Sequence, residues 1–545
     1  MRTTSTRVGC GSARTRCRRE DGVALPIVLG LMLMLTAFML SSLALVLNNM
    51  APSRSDQDSR AALAAAQAGI DEYISRLSAN SEYWDRGNVD AANPAFGATG
   101  TPVPGTGTGT NGPRFRYRVL TSSATTAQEG FITLEVTGTS RPPEGGRTIS
   151  RTLTTRLEPS GFLDYVYYTD YEVVDPSLQG MNAATRAACT RYHYNGRSDD
   201  TCGRIVFPAG DVVDGPLHSN DALYVDGSVR FSSPRTESSW VKTSNPGQLW
   251  RGPGTPSVGT PAAPGYWPRY QAIIDLPDAN TQLLRYVQPK TDDSPTPDNP
   301  LDRPGCLYEG ATRIEFVDDQ MKVWSPNTRN APDRCLTTGS RATEQTKAIP
   351  AVIYVAGTSG SCQGVGFPAA NEDTSDRITT NYGACRGTAF VKGIVDGKVT
   401  VSAEDDIVVT ADVRVADAGA GTDVIGLVAD NYVWVYHPVL ANGANLLPSA
   451  QAVRNIDAAI VSLRHSFVVQ NWAVGASLST SSDQASKLRV FGAIAQQFRG
   501  PVGTASGTTG YLKNYIYDDR LQVLQPPYFI APENAPWEAV LTTDG

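Results

Sequence analysis

Carboxylates stand in adjacent pairs at Asp318-Asp319, Asp405-Asp406 and Asp518-Asp519, among other places. Two carboxyl groups at a fixed separation, one protonated and one ionised, are what hydrolysis of a glycosidic bond requires. Adjacent residues in a strand point to opposite faces, however, and Asp is favoured in turns, so these pairs read as turn and surface acids. Gly357-Thr358-Ser359-Gly360-Ser361 departs from the G-x-S-x-G nucleophile elbow at its fifth residue, and neither an HExxH helix nor a Walker phosphate loop occurs. His218, His437 and His465 lie in or beside strand-like segments, where stacking or capping is expected before metal ligation. Asp292-Asp293, Asp298 and Asp302 form an acidic loop able to attract Ca²⁺, but without the regular D-x-D-x-D-G spacing it reads as solvated. Tyr165, Tyr167, Tyr168 and Tyr171 offer either a sugar platform or strand packing, and their spacing favours packing. No catalytic, cofactor-binding or metal-binding set emerges, and the chain reads as non-enzymatic.

The cysteines carry the other chemistry. Cys10 and Cys17 lie in a basic head, leaving Cys189, Cys202, Cys306, Cys335, Cys362 and Cys385. Six cysteines in an oxidising compartment read as disulfides, with fifteen possible pairings. Sequential pairing (189–202, 306–335, 362–385) closes the shortest loops and is expected. A zinc site is disfavoured, because no CxxC pair with a nearby His is present.

The element that fixes where these groups reside is at the N-terminus. Val23 to Leu47 are uncharged and mostly apolar. As a helix this run spans about 37 Å, enough to cross a hydrocarbon core of about 30 Å. Residues 1–22 carry six Arg against Glu20 and Asp21. The positive-inside rule then keeps the N-terminus cytoplasmic and places the C-terminal domain outside a cell membrane crossed once. A secretory signal would have a shorter apolar core and a small-x-small cleavage site. Beyond the head, 41 basic and 52 acidic residues remain. An exported part near −11 disfavours a nucleic-acid partner.

Five regions are expected: a basic leader (1–22), a transmembrane and juxtamembrane helix (23–80), a linker with a small antiparallel β unit (81–160), a repeat-containing exported domain (161–535) and a C-terminal tail (536–545). Leu63, Ala66, Ile70, Ile74 and Leu77 form an apolar stripe at helical spacing, and Pro52 is expected to kink the helix. The runs Phe115–Leu120, Phe131–Thr139 and Arg147–Leu157 read as strands, with turns at Ala127–Gly130 and Pro142–Gly146.

The segment Gly22-Val23-Ala24-Leu25-Pro26-Ile27-Val28-Leu29-Gly30 resembles the start of type IV prepilins and pseudopilins, in particular PilX-like pilus assembly proteins. Ala61-Ala62-Leu63-Ala64-Ala65-Ala66-Gln67-Ala68-Gly69-Ile70-Asp71 resembles the Ala-rich segment beyond the membrane helix of these minor pilins, with Gln67 where Glu is usual. The resemblance covers about residues 15–80. It implies cleavage between Gly22 and Val23 by prepilin peptidase, a helix-plus-sheet unit, and other pilin-like subunits as partners at a pilus or cell surface. Major pilins carry Glu at the fifth mature position, where it neutralises a neighbour's N-terminal amine in the membrane. Ile27 stands there in this chain, which by the same resemblance suits a subunit at a filament tip.

The remaining body is rich in Gly and Pro, with 50 and 36 residues, and reads as β. Gly393–Asp396, Gly426–Ala429, Ala459–Ser462 and Ala493–Gln496 align, with Ile394, Leu427 and Ile460 at steps of 33 and Ile494 at a step of 34. Short apolar strands follow at Val399–Val401, Val433–Tyr436 and Phe467–Val469, and Leu217–Val225 fits the template of Leu427–Val435. A fixed period predicts a parallel β-helix or β-solenoid, with a β-sandwich as the alternative. Residues 233–305 and 325–350 are then projecting loops. Polygalacturonase-like β-helix hydrolases carry Asn-Thr-Asp and Gly-His-Gly, and neither string occurs. Two readings stand: a non-enzymatic minor-pilin-like subunit displaying a large β domain, or a membrane-anchored β-helix that binds or cleaves a surface polysaccharide.

Overall fold

The computed structural model describes residues 24–544 except 81–82, 87–89, 91, 107–111, 142–146, 210, 233–240, 248–249, 255–256, 259–267, 289–302, 376–381, 481–482 and 533–534. Helix α1 spans Ala24–Ala79, and Pro52 does not end it. Its first part, Leu25–Leu45, is exposed and is long and apolar enough to cross a membrane or to act as a signal.

The distal part of α1 lies on an antiparallel sheet of β1 (Thr101–Pro102), β2 (Arg114–Val119), β3 (Ile132–Ser140) and β4 (Ile149–Pro159). Alternation along β3 buries Ile132, Leu134 and Val136 against Ala66, Ile70, Tyr73 and Leu77 of the helix. Tyr73 was absent from the expected stripe, and Leu63 and Ile74 sit at its margin rather than its centre. Close approach depends on two glycines. A Cβ at Gly138 would lie 2.0 Å from the Ala62 carbonyl oxygen, and one at Gly69 would lie 2.6 Å from Val136. The turn expected at Ala127–Gly130 is instead a short helix, α2 (Ser123–Glu129), started by the Ser122 side chain and stopped by Gly130 in the left-handed region. The turn at Pro142–Gly146 lies outside the described residues.

Residues 536–545, expected as a tail, contribute the fifth strand. Trp537–Asp544 runs antiparallel to β4, with Trp537 opposite Pro159 and Asp544 opposite Leu153. The Ser160 N–H donates to the Pro536 carbonyl at 2.8 Å. The body therefore leaves and re-enters the small sheet at one point, as an insertion between its last two strands.

Among the described residues the body is built on one large mixed sheet dominated by parallel pairings, beside a small pair of Phe207–Pro208 with Val225–Asp226, with no closed barrel. In one ladder Ile353, Val401, Leu427, Ile460 and Ile494 stand on successive strands. Ala495 pairs with Tyr168, and Tyr167, Leu217 and Val241 extend the same row. All eight row residues are buried in one core. A second ladder runs through Phe316, Gly393, Val413, Ile456, Val490, Tyr515, Val213 and Phe231. A third stacks Ala389, Ile407, Val433 and Phe467.

The segments Gly426–Ala429, Ala459–Ser462 and Ala493–Gln496 stack in register, and Leu217 joins their row through Tyr167. Gly393–Asp396 does not. Ile394 pairs with Val317 and Arg414 in the second ladder and is 44% exposed, while Val401 occupies the rung next to Leu427. The step there is 26 residues rather than 33, so a fixed period selects the wrong partner. The presumed loop 233–305 contains Val241–Thr243, Ser257–Val258 and Arg269–Tyr270, which extend the ladders. Within 325–350, Gln345–Ala348 pairs with the hairpin strand Gln320–Trp324. Disulfides join Cys189 to Cys202, Cys306 to Cys335 and Cys362 to Cys385, with Cα separations of 5.3–5.5 Å.

Candidate functional site: the junction of sheet and body

Beyond Pro159, where β4 ends and the chain enters the body, extended Gly161 leads into a single 3₁₀ turn of Phe162–Asp164. The Asp164 carboxylate closes that turn by accepting from the Gly161 N–H at 2.8 Å. The turn carries Asp164 and Tyr165 to the wall of a cleft of about 530 Å³, lined also by Glu158, Lys242, Gln271 and Glu538. Glu158 and Glu538 are directly opposite across the β4 ladder. Like charges so placed repel, and Arg156 offsets only Glu158. Burial raises the Asp164 carboxyl to about 6, opposed first by the Gly161 N–H bond and then by Lys242, and helped by Glu538 and Glu158. The Lys242 ammonium lies 5.7 Å from the centroid of the Tyr165 ring, and Gln271 Nε2 donates to Tyr165 Oη at 2.7 Å. The cleft is thus rich in acceptors and poor in cations.

The acids singled out by pairing do not converge. Asp318-Asp319 forms the exposed two-residue turn between paired Val317 and Gln320, with Asp318 at φ 55°. Asp518 caps a 3₁₀ turn and grips Arg520, while Asp519 is exposed. Asp405 binds Arg386 at 2.5 Å and the Gly387 N–H at 2.8 Å. Asp406 is no surface acid. It is buried, accepts from the Tyr432 N–H at 3.0 Å, and has one oxygen without a hydrogen-bond partner. Burial raises its carboxyl to about 6. Between pH 4 and 6 the folded chain holds a proton there that the unfolded chain releases, so this contribution is complete below about pH 4 and lost as pH rises through about 6. Asp406→Asn is therefore expected to raise stability at pH 8 by about 1–3 kcal/mol and to change little at pH 4, read from urea midpoints.

His218 is buried, hydrogen-bonds Asn220 at 2.9 Å and stacks on Tyr168, and burial lowers it to about 4. His437 lies between the Gln470 carbonyl and Asn445, both at 3.1 Å. His465 Nδ1 meets Asp175 at 2.6 Å, and its ring stacks on Tyr432. Tyr165, Tyr167 and Tyr168 are buried. Tyr171 is half-buried and stacks between Phe498 and Tyr192, which in turn stacks on Tyr194, so these rings spend their faces on one another. Gly357 to Ser361 is an irregular loop in which the Gly357 N–H donates to Glu404 at 2.6 Å. The acidic loop of Asp292, Asp293, Asp298 and Asp302 lies outside the described residues, as does the expected processing point Gly22-Val23. Among the described residues no group of three or more His, Cys, Asp or Glu is arranged to hold a metal ion.

Sequence reading missed the buried ion pairs. Arg499 meets Glu172 at 2.9 Å across 327 residues of chain, Lys513 meets Asp211 at 2.7 Å, and Arg197 pairs with Asp221. Partners this distant leave no local pattern. The junction acids were missed for the same reason, since Glu538 comes from the far end of the chain.

No family model matches the chain, and no curated protein matches it. Among solved structures, the competence-associated pilin ComZ from Thermus thermophilus aligns over 90% of this chain and 97% of its own, at 13% identity and a TM-score of 0.23. A superposition at that score carries no argument, and the reading of this chain rests on its own geometry.

Proposed function

We propose that this chain is a non-enzymatic, minor-pilin-like or pseudopilin-like subunit that displays a large exported β body at a type IV pilus or related secretion filament, at its tip. The observation that carries the reading is the double use of α1. Leu25–Leu45 offers an exposed apolar surface to a membrane, while Ala62 to Leu77 of the same unbroken helix forms the core of an antiparallel sheet. A secretory signal would not be continuous with a domain core. The anchor crosses the membrane once, with the N-terminus cytoplasmic and both β units outside. We read the body as a parallel β-helix, supported by three ladders in which apolar residues repeat rung after rung. Ile27 lies in the anchor where a carboxylate would otherwise meet a neighbour's amine, and a tip subunit has no neighbour ahead of it that requires one.

Prepilin peptidase and other pilin-like subunits are the partners this reading requires. The test is the mature N-terminus in cells with active prepilin peptidase. Intact-mass analysis is expected to find a chain beginning at Val23, and a chain beginning at Met1 overturns the reading.

A further inference from the structure

The small sheet ends in a strand whose outer edge pairs with no other strand among the described residues. Trp537–Asp544 is terminal in the sheet order and pairs only with β4, and every described residue after Trp537 is exposed. Its register shifts at Val540, which turns out beside the cleft. Val540 and Leu541 are 51% and 61% exposed, and Val523, which also lines the cleft, is 64% exposed. A free edge is a template for another strand, and proteins usually blunt such edges with charge, proline or a covering loop. Here the bulge interrupts one point only, and Leu541 to Asp544 continue in regular register.

We propose that this free edge and the adjoining cleft dock an extended segment of another polypeptide that carries basic side chains. Backbone pairing along Leu541 to Asp544 would supply the affinity, and where the segment runs on past Val540 to Glu538 its side chains would reach the cleft. Charge selects the partner. Glu158 faces Glu538 directly, Asp164 stands on the same cleft, and Lys242 is the one lysine or arginine among the lining residues. A lysine or arginine entering there relieves a repulsion that the free chain leaves in place, whereas an acidic segment would add to it. The cleft is lined by Val523 and Val540 as well as by Glu158, Asp164 and Glu538, which fits a strand that carries both apolar and basic residues. This inference is independent of N-terminal processing.

The test uses the full chain in detergent micelles and an acetylated hexapeptide alternating lysine and valine, with binding followed by calorimetry. Saturable binding is expected, weakened about tenfold or more in D164N/E538Q, with no binding of the glutamate–valine counterpart. A lysine–valine peptide methylated on alternate backbone nitrogens is expected to lose binding as well, because it cannot pair. Neutralising the exposed turn acids (D318N/D319N) is expected to leave the affinity unchanged. E538Q alone, at an exposed position, serves if the double variant melts early. Equal binding by E538Q, or by the methylated peptide, overturns the proposal and marks simple adsorption to an acidic protein. Dimerisation of the peptide-free chain that excludes the peptide also overturns it, because the edge then belongs to a second copy.

Discussion

Excising residues 160–536 and joining Pro159 to Trp537 through a short turn is expected to leave a folded unit. Those two residues are already paired opposite each other, and Ser160 and Pro536 share a hydrogen bond at 2.8 Å, so the ends of the excision meet without distortion. The core that remains is wholly its own: Tyr73 and Leu77 of α1, Phe115, Tyr117, Leu134, Val136, Leu157 and Trp537. The excision removes Gln525, whose amide fills the space beside Gly130, the Arg156 hydrogen bond to the Val523 carbonyl at 3.0 Å, that of the Tyr528 N–H to the Gln128 carbonyl at 3.2 Å, and the Lys398–Glu129 ion pair. The first is a surface contact, and a part-exposed pair of this kind is worth less than about 1 kcal/mol. Circular dichroism should keep its helical and β components and lose them in one cooperative thermal transition. The complementary deletion, of residues 537–545, removes only nine positions yet is expected to do more damage to the small sheet. It bares β4 along its length and strips buried Trp537 from the core, a loss of about 3–5 kcal/mol for the side chain alone. An unfolded excision product beside a stable truncated one would show that the body is an integral continuation of the sheet rather than an insertion.

The insertion also explains which parts of the fold could be read from sequence. Helix α1 and strands β2 to β4 are contiguous and amphipathic, so their periodicity carried them. The C-terminal strand has one buried residue in eight and a partner nearly 400 positions earlier, so neither composition nor alternation marks it. The ladder repeat was legible where successive rungs are 33 or 34 residues apart, at Leu427, Ile460 and Ile494, and misleading where the step shortens to 26. Stacking requires an apolar residue at each rung but places no condition on the length of chain between rungs. Asp406 and Asp319 look alike in sequence, each the second acid of a pair, yet one is buried and the other forms an exposed turn. Turn chemistry favours Asp in both settings, and only the neighbouring coil decides whether it is covered. The cleft acids were illegible because the junction gathers positions 158, 164 and 538, which no local window spans.

Arg499→Met is expected to destabilise the body by about 3–5 kcal/mol, the scale for stranding one member of a buried ion pair. The guanidinium sits just beyond the strand Leu488–Phe498, and it reaches Glu172, just beyond the strand Tyr167–Tyr171 that stacks on it. Its other terminal nitrogen donates to the Val206 carbonyl at 2.9 Å, and its Cζ lies 3.4 Å from the centroid of the Phe207 ring. Glu172 in turn accepts from Tyr167 Oη at 3.0 Å and from the Thr169 hydroxyl, and its N–H donates to Asp221. With the cation gone, the carboxylate keeps two neutral donors and no directly paired cation, with Lys513 and Arg251 acting on it only at longer range, in a site from which water is excluded. The contact has leverage because of what it joins. The ladders run from the C-terminal strands directly onto the N-terminal ones, so the rung between Ala495 and Tyr168 closes more chain than any other strand pairing described in the body. Arg499→Met/Glu172→Gln is expected to lose less than the two single variants added together, because it strands no charge, with a coupling of about 1–3 kcal/mol from urea midpoints. Additive losses would mean that Arg499 holds the rung through its packing on Phe207 rather than through the ion pair.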